Sequence, residues 1–112
     1  MLSQDQISNI MHETFLGCQS IFGQVFEEYL YGSYARGDFH EDSDVDILVT
    51  IKEDQYQISK KRFDIAELSS ELSLKYGITV SISVKSLEQF ESLNRVLPFY
   101  QNVIKEGIRH TE

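Results

Sequence analysis

Ser33 and the pair Asp44 and Asp46, with ten residues between Ser33 and Asp44, are the side chains whose types and spacing could do chemistry. Gly32 has no side chain, so another molecule can approach the backbone closely beside the Ser33 hydroxyl. If Ser33 opens a short helix through Arg36, the free N–H groups and the dipole at its start favour an anion such as a triphosphate. Arg36 then adds a fork of donors. Asp44 and Asp46 lie two apart in a run, Asp44 to Ile51, that reads as a strand; both leave one face while Val45, Ile47 and Val49 leave the other. Two carboxylates on one face make a cation site. Mg²⁺ takes a few carboxylate oxygens and completes its octahedron with phosphates and water, and a pair of such ions can clamp attacking and leaving oxygens. The chemistry implied is phosphoryl-type transfer, in which the protein positions the reactants and neutralises charge.

Elements of two kinds must hold these residues. Val25 to Tyr31 is rich in strand formers and stops at Gly32. Ser3-Gln4-Asp5-Gln6 forms a capping box, after which Ile7, Ile10, Met11, Thr14, Phe15 and Cys18 recur at helical spacing. A second helix is expected from about Asp54 to Tyr76, with Ile58, Ile65, Leu68, Leu72 and Tyr76 inward and Gly77 as its left-handed cap. Gly77 to Val84 reads as a third strand, Ser86 caps a short helix, and Pro98 opens a last one that Gly107 ends. Asp38, Glu41 and Asp42 fall in a polar interval and read as turn residues.

Gly32-Ser33, the ten-residue gap and Asp44-x-Asp46 together resemble the signature of the polymerase-β-type nucleotidyltransferase superfamily. Gly32-Ser33-Tyr34-Ala35-Arg36-Gly37 and the short length resemble its minimal nucleotidyltransferase branch, as does the closing segment from Phe99 to Gly107. The resemblance implies an α+β nucleotidyltransferase fold, a small mixed sheet with helices packed on one side. It implies Mg²⁺-dependent movement of a nucleoside monophosphate from a triphosphate, ATP by resemblance, to a hydroxyl, with release of pyrophosphate. Asp44 and Asp46 would be the catalytic metal ligands; Gly32, Ser33 and Arg36 would hold the nucleotide. Many minimal members resemble the antitoxin of a pair whose toxin is a helical HEPN ribonuclease, and some adenylylate a tyrosine of that toxin. Fully equipped members carry a third carboxylate on a later strand; here the polar face of that strand offers Thr79, Ser81 and Ser83, with Ser81 the counterpart. A hydroxyl is a weaker Mg²⁺ ligand. This leaves open a non-catalytic, nucleotide-binding antitoxin that neutralises by binding, and transfer to a small molecule is a further alternative.

Composition agrees with one small domain over residues 1–112, with 41% hydrophobic residues to build a core and no room for a second, substrate-holding domain. The net charge of −8 argues against a nucleic-acid acceptor, whose phosphates are bound by clustered Lys and Arg. Lys60-Lys61-Arg62 is the one basic cluster and reads as a solvated helix face. His12, His40 and His110 lack metal-ligand spacing, and Cys18 stands alone on the apolar stripe, which excludes an internal disulfide and suits a reducing cytoplasm. Neither a signal peptide nor a membrane span is legible.

Overall fold

Ser3 starts the chain's first helix as its sequence dictates: the Gln6 N–H donates to Ser3 Oγ at 3.1 Å while the Ser3 N–H donates to Gln6 Oε1 at 2.9 Å. The computed structural model describes residues 2–110, with the side chains of all of these but 106 and 108–110. The elements run α1 (Gln4–Phe22), β1 (Glu27–Tyr31), α2 (Ser33–Arg36), β2 (Val45–Ile51), α3 (Gln55–Lys60), α4 (Arg62–Tyr76), β3 (Val80–Ser86), α5 (Leu87–Leu93), α6 (Pro98–Glu106) and β4 (Ile108–His110). The His110 side chain, and residues 1, 111 and 112 of the expected domain, lie outside the described residues.

The sheet is mixed, in the order β3-β2-β1-β4. β2 runs parallel to β3 and antiparallel to β1, which is also antiparallel to β4. Alternation along β2 sorts its side chains. Val45, Ile47, Val49 and Ile51 join Leu30, Val80 and Val84 beneath Ile10, Met11, Cys18 and Phe22 of α1, Ile58 of α3 and Leu72 of α4. Leu48 leaves the other face and meets Tyr29, Phe90, Tyr100 and Val103. The expected helical layer therefore covers one face, and α5 and α6 form a smaller second layer on the other. That second layer stops short of closing over Asp46 and Ser81, which are both half-buried. β2 is the buried centre of the fold, with Val45, Ile47, Leu48, Val49 and Ile51 all at 0% exposure.

Three expectations need correction. The helix expected as one piece from Asp54 to Tyr76 breaks at Lys61, which leaves helical geometry (φ −102°, ψ 11°). Its Nζ donates to the Ile21 carbonyl at 3.2 Å, at the end of α1 where helix carbonyls lack intrahelical partners, and so ties the break to α1. The strand carrying the Asp pair begins at Val45 and leaves Asp44 just ahead of it. The third strand begins at Val80, since Gly77 (φ +67°) still belongs to the cap of α4.

Candidate functional site

Gly32 lies between β1 and α2 with φ +77° and ψ −156°, a conformation closed in practice to residues with a Cβ. A Cβ built there would run into Oδ2 of Asp46, so the absent side chain is what lets the Asp46 carboxylate lie against the turn. The Ala35 and Arg36 N–H groups donate to Gly32 O at 3.1 and 3.0 Å. The amides of Ser33 and Tyr34 precede these first helical bonds and have no helical carbonyl to use. α2 is a single turn of four residues, so its pull on an anion comes from those amides, the Ser33 hydroxyl and Arg36 more than from a macrodipole.

Register brings the carboxylate pair to the turn. Asp46 pairs with Tyr31 of β1 on one side and with Ser81 of β3 on the other, so Gly32, Asp46 and Ser81 lie across one end of the sheet. Burial pushes the Asp46 carboxyl up from its ordinary value; the nearby Asp44 charge adds to this, and Arg36 opposes it. Asp44 is exposed. The donor set fits Mg²⁺ shared with phosphates: two mutually repelling carboxylates beside free amides, with Ser81 a neutral third. It does not form a closed cage, for no cluster of three or more His, Cys, Asp or Glu suited to a metal occurs among the described residues.

The loop between α2 and β2 supports this arrangement. Arg36 Nε pairs with Asp38 Oδ2 at 3.1 Å, both side chains well exposed. The His40 N–H donates to Ser43 Oγ at 2.9 Å, and His40 Nδ1 accepts from the Asp42 N–H at 3.3 Å, so His40 shapes the turn. Tyr34 stacks on Phe39 at 4.4 Å between centroids and pins α2 to this loop.

Sequence reasoning missed the wall beside the turn. Tyr31, Gly32, Arg36, Phe99, Asn102 and Val103 line a cavity of about 210 Å³. Phe99 meets Tyr31 edge-on at 5.5 Å between centroids, and burial pushes the Tyr31 hydroxyl up from its ordinary value. Phe99 and Asn102 are one turn apart on a helix, a spacing visible in the sequence, yet nothing in it says that this face of α6 turns toward Gly32. A larger cavity of about 620 Å³ lies on the far side of α2, against α1, lined by Leu2, Ile7, Met11, Leu30, Tyr34 and Phe39 among others. Neither carboxylate of the pair lines either cavity; the smaller one shares Gly32 and Arg36 with the turn that Asp46 lies against, and the larger one does not.

A family model described as nucleotidyltransferase domain matches residues 12–110. A protein of Methanocaldococcus jannaschii named "Putative protein adenylyltransferase" is 39% identical over 87 residues, 76% of this chain and 77% of that protein. A second protein of that organism with the same name is 48% identical over 52 residues, 46% of this chain and 50% of the other. Among solved structures, one described as a "putative minimal nucleotidyltransferase" superposes with a TM-score of 0.64 at 23% identity, covering 96% of this chain and 95% of that one. A chain of a toxin-antitoxin crystallised with AMP-PNP gives 0.60 at 22% identity, covering 96% and 72%. At these identities the structural likeness is one of fold.

Proposed function

This chain belongs to the nucleotidyltransferase domain family, and on that premise we propose that it transfers AMP from ATP to a hydroxyl of a protein partner, as the antitoxin of a toxin-antitoxin pair. The observation that supports the reading is the close approach of Asp46 to Gly32: the turn that would bind phosphate and the carboxylate that would bind metal lie side by side. Ser33, the amides at the start of α2 and Arg36 hold the triphosphate. Asp44 and Asp46 hold Mg²⁺, which when bound neutralises phosphate charge and draws the nucleotide onto the strand end. The acceptor hydroxyl gives up its proton to solvent as its oxygen bonds to the α-phosphorus, while the bond from that phosphorus to the α–β bridging oxygen breaks and pyrophosphate leaves. The names of the relatives support the adenylyl group and the protein acceptor, and the toxin-antitoxin neighbour supports a partner protein; that this partner is a helical HEPN toxin rests on the resemblance of the motif alone. Among the described residues no helix is long and apolar enough to cross a membrane.

Incubation with labelled ATP, Mg²⁺ and the product of the neighbouring gene should yield a labelled partner, with Asp44→Asn and Asp46→Asn each abolishing the label. Labelling that persists in both variants would remove the pair from the site. A second reading rests on one observation: Ser81 sits opposite Asp46 where a third carboxylate would help hold the ion. On it the protein binds nucleotide and neutralises its partner by docking alone. Wild type that binds its partner without labelling it would favour this second reading, and Ser81→Asp should then gain transfer if that position faces the metal.

A further inference from the structure

The triphosphate accounts for Gly32, Ser33 and Arg36, but not for the rest of the cavity that begins at Gly32. Beyond that end the wall changes character: Tyr31 and Phe99 supply aromatic surface, Val103 an apolar floor, and Asn102 an amide. Phe99 contacts Tyr31 and Tyr100 edge-on and stays 43% exposed, so part of its ring is left uncovered. Val103 is buried at 1%, which makes the floor rigid. At about 210 Å³ the space is below the roughly 300–1,000 Å³ that encloses a whole drug-sized ligand, and is sized for one part of a nucleotide.

We propose that Tyr31, Phe99, Asn102 and Val103 form the nucleobase subsite, and that Asn102 makes it prefer adenine. The inference rests on the nucleotidyltransferase reading and specifies how that site chooses its nucleotide. A base is flat and has a π face, which an uncovered aromatic ring binds whatever the base. The amide adds discrimination. Adenine presents a donor and an acceptor side by side, N6–H and N7, which an Asn matches with its oxygen and its NH₂; guanine presents two acceptors there, and the Asn oxygen would face one of them. With Gly32 and Arg36 at one end of the cavity, the phosphates lead out toward Asp44 and Asp46 while the base stays against α6.

Equilibrium titration of the full chain with Mg²⁺–ATP, Mg²⁺–GTP and Mg²⁺–tripolyphosphate tests this. Wild type should bind ATP more tightly than GTP. Phe99→Leu and Asn102→Ala should each weaken ATP by about 5- to 100-fold and leave tripolyphosphate unchanged, and Asn102→Ala should also narrow the gap between ATP and GTP. Both residues are exposed, and Leu and Ala are good helix formers, so the variants should keep their circular dichroism. Equal loss of ATP and tripolyphosphate would make the cavity a phosphate pocket, and undiminished ATP binding in both variants would place the base elsewhere. Wild type that binds neither ATP nor tripolyphosphate would overturn the nucleotidyltransferase reading itself, and the subsite with it.

Discussion

Gly32 does two things that no other residue can do at once. It takes a backbone conformation that costs other residues about 1–3 kcal/mol, and it leaves the Asp46 carboxylate the space a Cβ would fill. Gly32→Ala should therefore lose at least about 1–3 kcal/mol in urea unfolding from the backbone alone, and should lose Mg²⁺–ATP binding in the same preparation. Wild-type stability in this variant would show that the turn relaxes without penalty. Asp46 works in the opposite sense. Burial and the Asp44 charge disfavour its ionised form, so the carboxylate is held at some expense to the fold. Asp46→Asn should melt at the same temperature as wild type or slightly above it, and should lose the further rise that Mg²⁺–ATP gives wild type. A clear fall in melting temperature would mean that Asp46 supports the fold through its charge.

The helices that brace this site are joined by a small polar cluster. Glu13 of α1 accepts from both Lys75 and Tyr76 at the end of α4, and these hydrogen bonds, Lys75 first, pull its carboxyl below the ordinary range. A lowered folded value means that the ionised form favours the native state, so its contribution is present at neutral pH and fades as pH falls through that lowered value. Urea unfolding of Glu13→Gln and wild type should differ modestly at pH 7 and converge in acid; a gap that stays constant with pH would assign the loss to packing. These ends of α1 and α4 were legible from Ser3, Gln6 and Gly77, because capping is local chemistry. The turn at Gly32 and the burial of β2 were legible for the same reason: a strand that ends at Gly-Ser, and alternation through Val45, Ile47 and Val49. The break at Lys61 was not. Ile58, Ile65 and Leu72 keep a helical period straight across it, and the interruption is tied to a contact with Ile21, 40 residues earlier. β4 is only three residues long, too short for a period, and it exists through pairing with β1.

Across the whole molecule, the proposed function would have an acceptor arrive at the open end of the sheet, and the apolar surface beside it is uneven. Phe90 and Tyr100 are taken into the core at 2% and 5% exposure, while Val96, Leu97 and Phe99 remain out at 66%, 41% and 43%. Tyr56 and Phe63 are also exposed, at 67% and 75%, but Lys60 and Arg62 lie over their rings, which gives that surface a cationic cover. The Val96–Phe99 segment is the one continuous with the cleft, since Phe99 belongs to both. A partner that docks there would bring its hydroxyl to the nucleotide, over a total buried area of about 1,200–2,000 Å² if the complex is stable. Co-expression with the adjacent gene should give a complex that survives size-exclusion chromatography and a partner heavier by one nucleoside monophosphate in intact-mass spectra. Leu97→Asp should dissociate that complex and Phe63→Asp should not. Were Phe63→Asp the disruptive change, the partner would sit on the α3–α4 side, and a hydroxyl carried there could not be the one that meets Asp44, Asp46 and the α-phosphate.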